Sequence, residues 1–481
     1  MAPRSLLSAF LCLFFLLTLT ACASQATTPP TVDQNAVATA VAGTLEAAFS
    51  GTQRAISALR PTQTIIPTPE PTLPAPTITP AIVELPTLPI PYDTALRVAY
   101  LKESDVYLWT DGDGSIRLTE FYDAVSLRLS DDAELIAFKR QDPDNVAGQE
   151  LWVVNTRGLS EPRRLVSATE LAALVPSNAG KSVLGYGVLD FTWRPDTHEL
   201  AYSTVILHEG PGFGPNHDLH LVNADTMLKT TLFETGRGGL FYYSPDGNHI
   251  ALSNPGSISL VDANGNNFQP DVLTFPSVIT YSEYAYHPHP TWSNNSRMLG
   301  VAIPPHDPEA EPLPPTSLWS IPVEGSLPAL LGHIQTMPFV WPDNVFAPSM
   351  KHIIYVTPSE DGDGNQRELR LAHPDGSDEI VYDKGESLEF ISWSPNSQHF
   401  IYQIPQGANK GVYLGGLNTQ PKMIIYDPNG IQNIEWLGNN RVVFPFQDGS
   451  QWLLFIQNLN SSQVDRIDII PDSNPAFDVL H

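Results

Sequence analysis

The stretch Tyr243-Ser-Pro-Asp-Gly-Asn-His-Ile-Ala-Leu252 decides the fold. An aromatic strand end runs into a tight turn. There proline presets φ, aspartate hydrogen-bonds its own backbone, and glycine or asparagine accepts the left-handed position. A second strand of apolar residues follows. The pattern recurs as Leu129-Ser-Asp-Asp-Ala-Glu-Leu-Ile-Ala-Phe138, Trp193-Arg-Pro-Asp-Thr-His-Glu-Leu-Ala-Tyr202 and Trp292-Ser-Asn-Asn-Ser-Arg-Met-Leu-Gly-Val301. It recurs again as Ala347-Pro-Ser-Met-Lys-His-Ile-Ile-Tyr355, Trp393-Ser-Pro-Asn-Ser-Gln-His-Phe-Ile-Tyr402 and, degenerate, Trp436-Leu-Gly-Asn-Asn-Arg-Val-Val-Phe444. Internal periodicity of this kind outranks local readings of single segments.

Each copy continues into a third strand and a hairpin, as in Leu151-Trp-Val-Val-Asn155, Ser259-Leu-Val-Asp-Ala-Asn-Gly265 and Glu368-Leu-Arg-Leu-Ala-His-Pro-Asp-Gly376, and then into a fourth strand. Four antiparallel strands per repeat describe a propeller blade. The expected fold is therefore all-β, a single β-propeller of four-stranded antiparallel blades. Seven complete copies are visible, and an eighth begins mid-blade with Arg97-Val-Ala-Tyr100 and Val106-Tyr-Leu-Trp109. The C-terminal Ala476-Phe-Asp-Val-Leu480 can supply its missing inner strand, leaving no open edge. Eight blades are favoured over seven.

The aromatic-Ser-Pro-Asp-Gly signature, with the repeat tail Gly114-Ser-Ile-Arg-Leu-Thr119, resembles the WD40-like (PD40) repeats of the TolB family. The resemblance covers residues 95–481 at the repeat level and implies a propeller without naming a partner. The N-terminal α/β domain of TolB itself has no counterpart here.

Ahead of the propeller (93–481) the chain reads as three segments. Residues 1–22 carry Arg4, an apolar run from Leu6 to Leu19, and Leu19-Thr20-Ala21-Cys22, which resembles the lipobox of bacterial lipoproteins. Cys22 is the expected lipidation site. Acyl chains there contribute about 0.8 kcal/mol per buried methylene and anchor the chain to a membrane. Residues 23–60 form a tether with a possible amphipathic helix, its apolar stripe running through Val37, Val41, Leu45 and Phe49. Residues 61–92 are a Pro/Thr-rich stalk in which polyproline II, rising about 3.1 Å per residue, spaces the domain off the membrane. The expected location is the bacterial cell envelope, outside the cytoplasm.

Composition narrows the function. The formal charge is −27, from 52 acidic against 25 basic residues, and such a surface repels nucleic acid. Both cysteines, Cys12 and Cys22, precede the propeller, which therefore needs no disulfide and no thiolate metal. No Gly-x-Ser-x-Gly elbow, phosphate loop or dinucleotide fingerprint occurs.

Three groups of residues remain as candidates. The aromatic rim Tyr281, Tyr284, Tyr286 and Trp341, with Phe339, can stack sugar rings or grip a peptide. His287 and His289 sit within it as a pair lacking a third ligand. Asp361, Asp363 and Asn365, near Glu368, have the one-three-five oxygen spacing of a calcium loop but lack its acid at position twelve, where Ala372 stands. No other cofactor is expected. These observations favour a lipid-anchored, non-catalytic binding or scaffold module for an envelope protein or glycan. The alternative is a carbohydrate-active enzyme, a lyase or glycosidase, working in the funnel of the ring.

Overall fold

The computed structural model describes residues 95–481, except 142–148, 159, 178–179, 181, 209–212, 283, 325, 342, 360–364, 427–432, 472–475 and 481. The signal, tether and stalk segments, and Cys22 with them, lie outside the described residues.

The described chain forms eight antiparallel sheets. Seven follow one another in sequence, at residues 124–166, 183–233, 240–274, 291–334, 353–386, 389–425 and 435–470; we call them blades 1 to 7. The eighth is discontinuous. Phe477–Val479 pairs with Arg97–Lys102, which pairs with Asp105–Thr110 and then Gly114–Arg117. The C-terminal segment thus supplies the inner strand of the eighth blade, and eight blades are confirmed over seven.

The sequence dictates this layering. The second strand of each blade is covered on both faces, so it reads as a continuous apolar run: Ile136-Ala137-Phe138, Ile250-Ala251-Leu252 and Phe400-Ile401-Tyr402 are all buried. The outermost strand Gly114–Arg117 is exposed throughout. Eight apolar clusters fill the eight spaces between neighbouring blades, the last joining Val98 and Tyr100 to Val443 and Leu454 of blade 7. Closeness is enforced at Gly300, where an added Cβ would lie 2.6 Å from the Phe346 ring of the next blade.

Two devices repeat. In the turn, a serine hydroxyl donates to the aspartate or asparagine two residues on: Ser130 to Asp132 (2.7 Å), Ser244 to Asp246 (2.6 Å), Ser293 to Asn295 (2.8 Å) and Ser394 to Asn396 (2.8 Å). The same hydroxyl accepts the backbone N–H five residues on, at 3.0 Å in each of these four turns. Among these four turns the left-handed position is glycine at Gly247 (φ 66°) alone; Ala133 (54°), Ser296 (58°) and Ser397 (61°) take it in the others, contrary to the expectation of glycine or asparagine. The Ser–Asx latch closes the turn without them.

The second device joins blades. Trp193, Trp292 and Trp393 donate their indole N–H to the carbonyls of Arg128 (3.0 Å), Tyr242 (3.0 Å) and Val345 (3.2 Å), each on the preceding blade's inner segment. Blade 5 lacks both the tryptophan and the Ser–Asp pair, and its inner strand shrinks to one bridge, Phe346 to Ile353. The connection from blade 1 to blade 2 carries a helix, Ala168–Leu174, started by a capping box between Ser167 and Glu170, and leads into the long inner strand Val183–Trp193.

Candidate functional site

Strand order sorts the connections by end of the ring. The Ser–Asp turns and the hairpins between third and fourth strands share one end, and the crossovers between blades share the other. Two crossovers, 275–290 and 335–345, carry the aromatic candidates.

Tyr284 is the most exposed of them at 77%, and Tyr281 follows at 58%. The Tyr281 hydroxyl donates to Asp307 at 3.0 Å, and its ring meets Phe339 edge-on at 6.2 Å. Phe339 in turn meets Trp341 edge-on at 6.2 Å, and Trp341 stacks on the buried Tyr286 at 4.8 Å. The rim is therefore a continuous chain of rings from an exposed tip to a buried base. It borders a groove of about 340 Å³ whose walls include Phe339, Trp341, Asp343, Arg367, Glu389 and Phe390. Flat apolar rings beside a guanidinium and two carboxylates suit a ligand with apolar faces and hydroxylated edges.

The two histidines diverge. His287 places Nδ1 3.0 Å from the Ser253 carbonyl and stacks on His217 at 5.4 Å. His289 lies edge-on to Tyr242 at 4.5 Å, its Nδ1 buried without a hydrogen-bond partner. Desolvation lowers the pKa of both, and that of His217, so all three favour the neutral imidazole. His287, His289 and an acid do not converge on one point among the described residues. His220, on the third strand of blade 2, is buried 3.1 Å from Asp218 and stacked on Tyr202.

Sequence reasoning passed over Asp343 and Tyr242. Asp343 is open to solvent but crowded by protein walls that strip part of its water, and its carboxyl is pushed up to about 6. Burial pushes the phenols of Tyr242 and Tyr286 above their usual range, and the charge of Asp343 adds to both shifts. The Tyr286 hydroxyl is buried without a partner. The only signal for Asp343 in the sequence is its place two residues after Trp341.

Of the calcium candidates, Asp361 and Asp363 lie outside the described residues. Asn365 is exposed, and its carbonyl accepts from the Ser387 N–H at 2.9 Å. The buried Glu368 nearby is already held by Lys384 and Arg370, both at 2.7 Å, and by Ser359 at 3.2 Å. Its carboxyl lies below the usual range, chiefly through Lys384.

No protein-family model and no curated protein matches this sequence. Among solved structures, the chain is similar to TolB from Acinetobacter baumannii at 14% identity, covering 58% of this chain and 62% of that one, with a TM-score of 0.29. It is similar also to an oligogalacturonate lyase in complex with manganese (11%, 71% and 84%, TM-score 0.41). A third is dipeptidyl peptidase 4 from Porphyromonas gingivalis (10%, 76% and 56%, TM-score 0.46). The chain spans about three-fifths of the length of that TolB. At these identities the likeness goes no further than the fold, which the sheet order identifies as an eight-bladed β-propeller.

Proposed function

We propose that this protein is a lipid-anchored envelope binding module that holds a glycan chain across the aromatic end of its propeller. Cys22 provides the anchor, residues 61–92 the spacing, and the crossovers 275–290 and 335–345 the binding surface. The observation that carries this reading is the unbroken ring sequence Tyr281–Phe339–Trp341–Tyr286 running along a groove edged by Asp343, Arg367 and Glu389. Rings of this kind stack on the apolar faces of sugars, while the flanking polar groups take hydroxyls.

The test titrates envelope oligosaccharides into residues 93–481 and follows binding calorimetrically. Phe339→Ala and Trp341→Ala are expected to weaken binding at least about tenfold, the loss of roughly 1.4 kcal/mol of stacking. Unchanged affinity in both variants would overturn the glycan reading. Retention of a stoichiometric envelope protein in place of sugar, lost in the same variants, would replace the glycan by a protein partner.

The carboxyl of Asp343, pushed up to about 6 and within the electrostatic reach of the Tyr242 and Tyr286 phenols, favours a second reading as a glycosidase or lyase. Shortening of the bound oligosaccharide, abolished by Asp343→Asn, would establish it.

A further inference from the structure

At the opposite end of the ring, between blades 1 and 2, three turns bring together Asp132, Glu134, His198 and Asp225. Asp132 and Glu134 belong to the first Ser–Asp turn, His198 to the next, and Asp225 to the third-to-fourth strand hairpin of blade 2. His198 Nε2 lies 2.9 Å from Asp132 Oδ2, and Nδ1 lies 2.8 Å from Asp225 Oδ2. One donor atom each from Asp132, Glu134 and His198 falls within 4.8 Å of the others. The other oxygen of Asp132 is fixed by Ser130 (2.7 Å) and by the Glu134 N–H (3.0 Å), so the turn latch itself aims Oδ2 at the imidazole.

We propose that this cluster is a binding site for a divalent transition metal, with Zn²⁺ as the best fit. His198 Nε2, Asp132 Oδ2 and a carboxylate oxygen of Glu134 are its ligands, and Asp225 holds the imidazole from behind.

The donor set is one imidazole and two carboxylates, which suits zinc better than the all-oxygen shells of calcium or magnesium. Asp225 has the position that metal-bound histidines require: it accepts from the distal ring nitrogen, fixing the tautomer and raising the basicity of the ligating one. Glu134 has to move little. Its side chain is 45% exposed and restrained only by an exposed pair with Arg157 at 3.0 Å. The fourth coordination position opens on a groove of about 330 Å³, walled by Glu134, Asn155, Ser160, Arg163, His198 and Asp225, where water or a small anion completes the shell.

In the metal-free protein a carboxylate oxygen faces each ring nitrogen of His198. Zn²⁺ takes the lone pair of Nε2, and any proton held there leaves to solvent. Asp225 keeps its hydrogen bond to Nδ1–H.

The experiment is isothermal titration of the full chain with ZnCl₂, with MgCl₂ and CaCl₂ for comparison. One Zn²⁺ per chain, with no comparable magnesium or calcium binding, is the expected result. His198→Asn and Asp132→Asn are expected to abolish it, and Asp225→Asn to weaken it about 10–100-fold. Thermal melting reads folding of each variant, and a Co²⁺-loaded protein with tetrahedral absorption and no thiolate charge-transfer band excludes ligation by Cys12 or Cys22. Absence of zinc binding in the folded wild type, or equal binding in folded His198→Asn and Asp132→Asn, overturns the proposal. So does a thiolate band.

Discussion

The indole N–H of Trp292 donates to the main-chain carbonyl of Tyr242 at 3.0 Å, across the boundary between blades 3 and 4. Trp292 is 8% exposed, so the bond sits inside the apolar cluster that joins the two sheets. Trp292→Phe keeps most of the ring contact but leaves the Tyr242 carbonyl without this donor. Loss of a buried hydrogen bond with a partner left unsatisfied costs about 1–3 kcal/mol. Denaturant titration followed by far-ultraviolet circular dichroism is expected to show a lower midpoint by that amount with an unchanged slope.

The turn latch is equally local. Ser244 is fully buried, and its hydroxyl serves Asp246 and the His249 N–H at once. Ser244→Ala removes both bonds, at a cost of about 1–3 kcal/mol. Ser349, in the blade 5 turn, makes no such latch and instead donates its backbone N–H to Ser397. Ser349→Ala is therefore expected to change thermal stability far less than Ser244→Ala, and equal losses would show that the latch is not what holds the turn.

These devices explain what was legible in the sequence. The Ser–Asx latch is read from residues five apart or fewer, so each copy announces its own blade, whereas the carbonyl that each inter-blade tryptophan reaches lies 48 to 65 positions away. Closure by Ala476–Leu480 could be inferred because Arg97–Lys102 arrived as a buried second strand with no inner neighbour. The site was less legible. Tyr286 stacks on Trp341 across a blade boundary, 55 positions along the chain, and only the fold shows that pairing. Asp132 and His198, 66 residues apart, looked like independent turn residues, since the turn chemistry accounts for both without a partner. Asp343 carried no motif at all; its shifted carboxyl comes from walls contributed by other blades.

The closing strand makes a sharper prediction. Asp478 Oδ2 accepts the Leu129 N–H at 2.6 Å, tying the C-terminal strand to blade 1, while Phe477 and Val479 pair with Tyr100 and Val98. Removing residues 476–481 exposes the edge of Arg97–Lys102 and uncovers two buried side chains. Each such side chain contributes about 1.5–3 kcal/mol. The truncated chain is expected to melt at lower temperature and to associate through the open edge as concentration rises. A monomer with an unchanged melting point would mean the ring does not depend on that strand.

Glu435, on the inner strand of blade 7, gives stability a pH dependence. Burial and then the nearby Asp478 raise its pKa to about 7, against the opposing hydrogen bond from Asn433 and charge of Arg128, and its Oε2 has no hydrogen-bond partner. Because the folded-state value lies above the unfolded one, the folded protein prefers the protonated acid. That preference contributes fully below the unfolded pKa and is lost as pH rises through 7. Glu435→Gln keeps the shape and removes the titration. The variant is expected to match the wild type near pH 4 and to exceed it at pH 8, by on the order of 1–3 kcal/mol. Chemical denaturation across this range measures the difference directly. A constant gap at every pH would assign the effect of the substitution to packing, because only an ionisation confined to the wild type makes the two stability curves diverge between pH 4 and 8.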